Sequence, residues 1–346
     1  MLHGLMRLGA CLVLAAGLSG AHAASLTPNE SALYEAAKKE GEITWYIGQF
    51  ATDVANQFGK NFTERYPGVK VNVYRATGQV VFQRLSQDMK AGVRQCDVFS
   101  STDIGHSVYL KAQGQYLHYV PENATGLFPA FQKIDPDGFY HTTQVNTVTI
   151  LYNTDKVKPE EAPRKWTDLL DPKWKNKISL GHPGFSGTAG TWVLMMRELY
   201  GASYMEKLAK NNPQAGRSLN DTITTLNAAA RVVAAGPTAT ALRSIVKGNP
   251  MAIVYPEDGA VLQISVSGII KDAPHPHAAK LFMEYLLSRE HSVALAETYY
   301  ELLRPDVDPA PGARPMSEFK IVQPSIEAIV KGIPEIKELW RDTIGN

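Results

Sequence analysis

Cysteine is nearly absent from this sequence: Cys11 and Cys96 are the only two in 346 residues. Cys11 lies in an N-terminal stretch that we expect to be removed, which leaves Cys96 without a partner. A lone thiol cannot form an internal disulfide, and its expected role is that of a small buried hydrophobic side chain. An apolar fraction of 44% is sufficient for a sizeable core without such a bridge.

An excess of charge of either sign is also missing. The chain has 35 Lys and Arg against 34 Asp and Glu, a formal net charge of +1. Loss of the N-terminal stretch removes Arg7 and no acidic residue, so the remaining chain is formally neutral. No basic stripe stands out, which argues against nucleic acid as a partner.

No apolar run is long enough to cross a membrane, and the run at the N-terminus has the features of a leader. His3 and Arg7 precede an apolar stretch from Leu8 to Leu18, and Ala21-His22-Ala23 follows it. A basic start, a short apolar centre and an A-x-A site are typical of a secretory signal peptide. The run is shorter than a membrane-spanning helix requires, so we predict that residues 1–23 are removed after export.

Familiar nucleotide and nucleophile motifs are missing too, although a Gly- and Ser-rich stretch runs from Ile178 to Trp192. Thr188 stands where a nucleophile elbow needs its second glycine, no lysine follows for a phosphate loop, and the glycine spacing does not match a dinucleotide fingerprint. Instead, Ser186-Gly187-Thr188 would open a helix after a buried strand. The N–H groups of a helix start, with two hydroxyls beside them, form a cradle for an anionic oxygen. The alternative is that Ser186 only caps its own helix.

Acidic residues are absent from the loops that follow the first three predicted strands. These loops are Gly48-Gln49, Arg75 to Gln79 and Ser100 to Thr102, and Asp103 lies just inside the next helix. Each loop joins a strand to a helix, and such units form a parallel sheet that binds ligands at the carboxyl ends of its strands. Polar loops without carboxylates favour an oxygen-rich or anionic ligand over a cationic one.

Three further candidates are weaker. Thr238 opens a helix after a Gly-Pro pair and forms a second candidate anion cradle, with simple capping as the alternative. His275 and His277 have no third ligand nearby, so no metal site is predicted. His182 near Ser186 is the single pair that resembles a nucleophile and its base. No Asp or Glu obviously orients it, so we expect a protein that is not an enzyme.

The length and the order of elements predict an α/β protein of two lobes, each a mainly parallel sheet flanked by helices, with a ligand cleft between them. Thr142 to Leu151 would cross from the first lobe to the second, and Met251 to Pro256 would return. Helices are also predicted from Leu219 to Val233 and, interrupted near Pro334, from Ile326 to Ile344. After the signal peptide, the predicted parts are lobe one (residues 24–145 and 251–302), lobe two (residues 146–250) and C-terminal helices packed on lobe two (residues 303–346).

Taken in order, seven segments of the chain resemble the periplasmic solute-binding proteins of ABC importers, in particular the ferric-iron-type branch. These segments are Leu33 to Glu42, Asp97-Val98-Phe99, Leu151 to Thr154, Trp166 to Leu170, Ser186 to Ala189, Val254 to Gly259 and Ala273 to Lys280. The resemblance covers nearly all of the chain after the leader. It implies the two-lobed type II periplasmic-binding fold, a periplasmic location, and a receptor that closes on its solute and then docks on an inner-membrane permease.

The resemblance to ferric-binding members breaks down at the iron ligands. Phe50 and Thr102 stand near the places of a histidine and a glutamate in those members. Gly236-Pro237-Thr238 directly follows Ala235, where the tyrosine pair is expected. Fe(III) needs several anionic oxygen ligands, and the sequence does not supply them in that pattern.

The sequence therefore predicts a periplasmic, monomeric receptor for a small anionic solute such as a phosphonate or a phosphate ester, with no cofactor, no metal and no nucleic acid. The alternative is a ferric-iron-binding protein that uses Tyr255 or Tyr299 with an exogenous anion. The predicted ligand-binding residues are Gln49, Arg75, Ser100, Ser101 and Thr102 from lobe one and Ser186, Gly187, Thr188 and Thr238 from lobe two.

Overall fold

A computed structural model describes residues 26–345, so the predicted signal peptide, residues 1–23, lies outside the described residues. The strands are β1 (Glu42–Ile47), β2 (Lys70–Arg75), β3 (Val98–Ser101), β4 (His141–Asn153), β5 (Ile178–Gly181), β6 (Gln214–Gly216), β7 (Val233–Pro237), β8 (Met251–Val254), β9 (Ala260–Ile269) and β10 (Ile321–Val322). The α-helices are α1 (Pro28–Glu40), α2 (Thr52–Arg65), α3 (Gly78–Lys90), α4 (Ile104–Ala112), α5 (Pro129–Gln132), α6 (Gly187–Tyr200), α7 (Ser203–Ala209), α8 (Asp221–Asn227), α9 (Thr238–Val246), α10 (Pro276–Leu287), α11 (Arg289–Glu297) and α12 (Ile326–Thr343).

The ten strands of the described chain form one continuous sheet in the order β2-β1-β3-β9-β4-β7-β5-β6, with β8 on β4 and β10 on β9. β1 pairs in parallel with β2 and β3, and β5 pairs in parallel with β6 and β7. Between these two parallel groups, β9 and β4 run antiparallel to each other and to their outer neighbours β3 and β7. Each parallel group is the sheet of one lobe, and the two long strands connect the lobes.

Local sequence explains how the first βα unit begins. Thr27 and Glu30 form a reciprocal capping box at the start of α1, and Pro28 occupies its first turn. Gly41 ends the helix with a φ of 79°, a conformation that glycine adopts without strain. The chain then enters β1 directly, which places the end of that strand beside the ends of β2 and β3.

Aromatic side chains fill the core of each lobe. In lobe one, the Phe282 ring lies 5.0 Å from the rings of both Trp45 and Phe62. In lobe two, the rings of Trp166 and Trp192 are 5.6 Å apart. β4, which joins the lobes, is buried at all 13 of its positions. The strands that carry the ends of the cleft are therefore anchored in packed cores.

One predicted element is wrong. The sequence predicts a helix from Leu219 to Val233, but the structure has the short helix α8 and then the strand β7. Every residue of β7 is buried, between β4 on one side and β5 on the other. The predicted helix is therefore too long, because α8 ends at Asn227, and the strand that begins at Val233 is defined by its pairing on both edges.

The C-terminal helix α12 packs against α6 and α7 of lobe two and also against α4 of lobe one. It continues through Pro334, near which the sequence predicts an interruption. At 18 residues it is the longest helix in the described part of the chain. Neither it nor any other helix in residues 26–345 is long and apolar enough to span a membrane.

Candidate ligand-binding cleft

A cleft lies between the lobes at the carboxyl ends of the lobe-one strands. Its lining consists mostly of polar side chains and glycines: Gly48, Gln49, Arg75, Thr77, Gly78, Thr102, Gln144, Asn146, Ser186, Thr188, Ser218, Leu219, Asn220, Pro237, Thr240, Gln263 and Tyr300. The space open to the centre of a water molecule is about 30 Å³, which is room for roughly two waters. The cleft is therefore nearly shut.

Direct contacts between the lobes account for this narrowness. Gly187, the first residue of α6, lies so close to lobe one that a Cβ on it would be 2.5 Å from the Thr102 carbonyl oxygen. The backbone N–H of Gln79 donates to the Phe185 carbonyl oxygen at 3.3 Å. At the edge of the cleft, Arg243 of lobe two pairs with Asp53 of lobe one. The structure is a closed form in which the lobes touch.

Three helices of eight or more residues, α3, α6 and α9, begin at the cleft lining. Ser186 caps α6 through its hydroxyl oxygen, which accepts from the Ala189 N–H at 3.3 Å. Thr77, at the start of α3, forms no such cap, and its hydroxyl oxygen is buried without a partner. Apart from the Gln79 N–H, which donates to the Phe185 carbonyl oxygen, the first-turn N–H groups of α3 and the unused Thr77 hydroxyl are therefore left for a ligand. Free N–H groups and a positive helix end favour an anion.

The connecting strands contribute neutral amides to the cleft. Gln144 and Asn146 on β4 are 3% and 6% exposed, and the side-chain oxygen of each is buried without a hydrogen-bond partner in the described structure. The Gln49 Oε1 atom is in the same state, although its Nε2 donates to the Thr143 hydroxyl at 3.1 Å. Gln263 on β9 is satisfied, because its Nε2 donates to the Thr102 carbonyl oxygen at 2.9 Å. The side-chain oxygens of Gln49, Gln144 and Asn146 are thus three buried acceptors at the cleft without a hydrogen-bond donor.

Arg75 carries the one formal charge among the described residues that line the cleft. Its Nε donates to the Phe50 carbonyl oxygen at 2.8 Å, which fixes the guanidinium beside β1. Burial lowers the pKa of Arg75 from its ordinary value, yet an arginine stays protonated in a protein. A half-buried cation without a carboxylate in the same lining adds to the preference of this cleft for an anion.

The structure brings together five of the nine predicted ligand-binding residues: Gln49, Arg75, Thr102, Ser186 and Thr188 line the cleft. Gly187 lies at the contact between the lobes, next to this lining. The other three, Ser100, Ser101 and Thr238, are outside the cleft lining.

The three outlying side chains have partners elsewhere. Ser100 accepts from the Trp45 indole N–H at 2.7 Å, and Ser101 bonds to the His106 ring at 2.8 Å. Both serines are fully buried because β3 extends through Ser101, so that Thr102 is the first residue to reach the opening. Thr238 donates to the Thr147 carbonyl oxygen and lines a different cavity.

The strand residues Gln144, Asn146 and Gln263 were missed by the sequence analysis. A signal was available, because Gln144 and Asn146 alternate with apolar residues in a strand that is otherwise rich in β-branched residues. Such alternation places both amides on one face of β4. No comparable pattern marks Tyr300, which reaches the cleft from the irregular segment after α11.

Two serine–histidine pairs within residues 26–345, His182 with Ser186 and His106 with Ser101, have contacts that suit a structural role. His182 Nδ1 accepts from the Gly184 N–H at 2.9 Å, while the Ser186 hydroxyl oxygen is occupied by the Ala189 N–H. Ser101 and His106 are bonded, but Ser101 is 0% exposed and the His106 ring stacks on Phe82 at 4.1 Å. Burial lowers the pKa of His106. A hydroxyl that no solute can reach cannot act as a nucleophile.

His275 and His277, for which no metal site is predicted, each have a carboxylate as their partner in the structure. His275 bonds to Asp97 at 3.0 Å and His277 bonds to Glu40 at 2.7 Å, so each histidine pairs with its own carboxylate. In the part of the chain that the structure describes, no three His, Cys, Asp or Glu side chains form a cluster suited to a metal ion.

Comparison with known proteins identifies relatives along most of the chain. Residues 109–318 match the model of a family described as bacterial extracellular solute-binding protein. A protein of Salmonella paratyphi A named "Putative 2-aminoethylphosphonate-binding periplasmic protein" is 25% identical over 282 residues, which are 78% of this chain and 77% of that protein. "Iron uptake protein A1" of Synechocystis is 24% identical over 285 residues, 76% of each chain.

Solved structures share the fold at lower identity. The periplasmic binding protein AfuA from Actinobacillus pleuropneumoniae, with fructose-6-phosphate bound, superposes with a TM-score of 0.79 at 22% identity, covering 88% of this chain and 98% of that one. Iron-bound HitA from Pseudomonas aeruginosa gives a TM-score of 0.75 at 18% identity, covering 87% and 99%. These likenesses confirm the predicted two-lobed type II fold. Because the family model covers more than half of the sequence, the chain belongs to the bacterial extracellular solute-binding proteins, the periplasmic receptors of ABC transporters.

Proposed function

We propose that this protein captures a small solute with a phosphonate or phosphate-ester group in the cleft between its lobes and releases it, unchanged, to an ABC permease. The observation that carries the proposal is the lining of the cleft. It combines helix starts and Arg75 with no carboxylate among its described residues. In this proposal the protein is a periplasmic monomer. One boundary differs from the sequence prediction, because β8 (Met251–Val254) pairs with the Ile150–Asn153 half of β4 and packs against α9. We therefore propose that residues 26–145 and 260–302 form one lobe, that residues 146–259 form the other, and that β4 with β9 is the hinge.

The anionic part of the solute belongs at the start of α3. The N–H groups there have no side-chain cap, and the buried Thr77 hydroxyl has no partner. Arg75, three residues before Gly78, supplies a positive charge in the same lining. Charge-assisted hydrogen bonds from arginine and backbone N–H groups are about twice as strong as neutral ones, so a phosphoryl or phosphonyl oxygen is the preferred occupant.

The rest of the solute must donate hydrogen bonds. The side-chain oxygens of Gln49, Gln144 and Asn146 are buried acceptors without partners, and an unsatisfied buried polar group costs about 1–3 kcal/mol. Hydroxyl groups or an ammonium group on the solute would satisfy them. The names of the relatives support this combination, since 2-aminoethylphosphonate and fructose-6-phosphate each carry an anionic group and donors.

The ligand set of the cleft supports an anion over ferric iron. Tyr255 and Tyr299, the tyrosines considered for iron, line a different cavity, and Tyr300 is the one phenol among the described residues of the cleft. Fe(III) prefers several anionic oxygen ligands. We also propose that no reaction takes place in the cleft, because Ser186 and His182 each bond to a backbone N–H instead of to each other.

Native mass spectrometry of the freshly purified protein, followed by a thermal-shift screen, tests this proposal. The panel contains phosphate esters, phosphonates, plain carboxylates and ferric citrate. A ligand that binds only the folded state stabilises it by RT ln(1 + [L]/Kd). We expect a phosphorus-containing anion to give the largest shift, and the same compound to be recovered unchanged after prolonged incubation.

Two variants test whether the thermal shift arises from binding in the cleft. Arg75→Gln should weaken binding of the best solute by about 10- to 100-fold, the range expected for one charge-assisted hydrogen bond. Arg84→Gln is the matched control, because Arg84 lies on the exposed side of α3 and pairs with Asp88. A shift with ferric citrate alone, or equal loss in both variants, would overturn the proposal.

A further inference from the structure

A second cavity lies outside the cleft and is much larger. Its volume is about 350 Å³ by the measure that gives about 30 Å³ for the cleft. Residues from both lobes contribute to it, including α5 of lobe one and α9 of lobe two. Its aromatic lining is Phe128, Phe131, Tyr255, Tyr299 and Tyr300. An apolar cavity of about 150 Å³ already admits benzene, so this one has room for a larger aromatic or aliphatic body.

One carboxylate, Glu301, lines this mostly apolar cavity. Its Oε1 accepts from the Thr147 backbone N–H at 2.8 Å and from the Thr147 hydroxyl. Its Oε2 is buried and has no hydrogen-bond partner in the described structure. Burial raises the pKa of Glu301 to about 7. A buried carboxylate oxygen without a donor is a costly arrangement that native proteins usually relieve with a partner.

The one cationic side chain in the described lining does not provide that partner. The Arg314 guanidinium lies over the rings of Tyr255 and Phe319, at 5.1 and 5.8 Å from their centroids. It also donates to the Glu318 carbonyl oxygen, and 44% of its side chain is exposed. Its interactions are therefore satisfied away from Glu301.

We infer that this cavity is a binding site for an organic amine with an apolar body, whose ammonium group bonds to the Glu301 carboxylate. An ammonium group brings both the charge and the donors that Oε2 lacks. Tyr299 and Tyr300 also line the cavity, and aromatic rings attract cations. Phe128, Phe131 and Leu242 would cover the apolar body. The inference does not depend on which solute occupies the cleft.

Isothermal titration calorimetry at pH 8 with two probes of the same shape tests this site. The probes are 2-phenylethylamine, which is cationic at that pH, and 2-phenylethanol, which is neutral. We expect the unmodified protein to bind the amine at least about tenfold more tightly than the alcohol, since only the amine forms a charge-assisted hydrogen bond. Glu301→Gln should abolish this preference and leave alcohol binding unchanged.

Two further variants keep the test decisive. Leu242→Trp fills the cavity from α9 without altering Glu301, and it should remove binding of both probes. Glu297→Gln, an exposed change on the neighbouring helix α11, should change neither. Thermal unfolding of each variant verifies that it is folded. Equal binding of amine and alcohol by the unmodified protein, no binding of either probe at about 20 mM, or an unchanged preference in a folded Glu301→Gln protein would overturn the inference.

Discussion

Buried ionisable residues set the pH dependence of this protein at the scale of single side chains. His291 is 0% exposed, and neither ring nitrogen has a hydrogen-bond partner in the described structure. Its ring packs against Phe58 at 4.6 Å and Tyr285 at 5.2 Å. Burial lowers the pKa of His291 to about 3, so the folded protein holds it neutral while the unfolded chain protonates it near pH 6.5.

His291→Phe should therefore reduce the acid sensitivity of folding. The stability that depends on a neutral His291 is fully present above pH 6.5 and is lost as pH falls toward 3. Between pH 6.5 and 5 the loss is about 2 kcal/mol, at 1.36 kcal/mol per pKa unit. Urea unfolding of the parent and the variant at several pH values gives the difference directly. His118→Phe, at an exposed position, is the control, and parallel curves for parent and His291→Phe would contradict this account.

Glu301 titrates in the opposite sense. Because burial raises its pKa from 4.5 to about 7, the folded protein favours the protonated form, and the associated stability is complete below pH 4.5. It is lost as pH rises through 7, by up to about 3 kcal/mol. Relative to the parent, Glu301→Gln should gain stability over that interval, measured by urea unfolding from pH 4.5 to 8. A constant difference across the interval, as expected for Glu297→Gln, would contradict the assignment.

The sequence predicts a cleft residue correctly only where the preceding strand or the following helix has the predicted bounds. Thr102 reaches the cleft and Ser101 does not, because β3 ends between them, and strand ends are uncertain by a residue or two. Gln144 and Asn146 reach the cleft from inside a strand, whereas the predicted ligand-binding residues all lie in loops and at helix starts or strand ends. Their alternation was visible, but which face of β4 meets the cleft depends on its pairing with β9.

Helix starts are the elements that narrow the cleft, and the sequence identified the central one. Ser186-Gly187-Thr188 opens α6 as predicted. The helix predicted from Leu219 to Val233 runs past the end of α8, and the strand β7 that begins at Val233 was not predicted. Nothing local marks its Ala-Ala-Gly-Pro segment as a strand, and only its pairing with β4 and β5 decides the outcome. The cap of a helix can be recognised from the local sequence, whereas a central strand is defined by its pairing with strands that are far away in sequence.

Gly187→Ala should weaken closure without damaging either lobe. The added Cβ would lie 2.5 Å from the Thr102 carbonyl oxygen and 2.6 Å from the Asp103 nitrogen, both backbone atoms of the opposite lobe. Overpacking of this kind costs about 1–3 kcal/mol, so the Kd for the best solute should rise by about 5- to 150-fold. Calorimetry measures that rise, and the unfolding temperature without solute should be nearly unchanged.

The control for Gly187→Ala lies one turn further along the same helix. A Cβ at Gly190 would meet the flexible end of Ile333 on α12, at 2.7 Å, and no residue of lobe one. Gly190→Ala should therefore bind the solute like the parent. If both alanine variants bound equally well, the contact of Gly187 with Thr102 would not limit closure.

The whole molecule combines two packed lobes with a connection of two strands and with direct contacts between the lobes. β4 and β9 provide the connection, and α12 also touches both lobes. Contacts across the cleft include the Gln79–Phe185 hydrogen bond, the Asp53–Arg243 ion pair and the close approach of Gly187 to Thr102. Such contacts stabilise the closed state selectively, and only differential stabilisation of this kind shifts an equilibrium between open and closed forms.

The ion pair at the edge of the cleft should therefore act on affinity and leave the stability of the lobes unchanged. Asp53 is 65% exposed and Arg243 is 18% exposed, and exposed pairs of this kind contribute about 0.2–1 kcal/mol. Asp53→Asn or Arg243→Gln should raise the Kd for the best solute by at most about fivefold. The change should appear mainly as faster dissociation in stopped-flow measurements, and it should shrink in 0.5 M salt, where the screening length is only about 4 Å.

A double-mutant cycle measures the interaction between Asp53 and Arg243 separately from the effect of each single substitution. The double variant should bind no worse than the weaker single variant, because the second change removes an interaction that is already lost. Glu64→Gln, which breaks the exposed Lys60–Glu64 pair within α2, should have no effect on dissociation. Additive effects of the two cleft-edge changes would instead show that Asp53 and Arg243 act separately and that their ion pair does not stabilise the closed form.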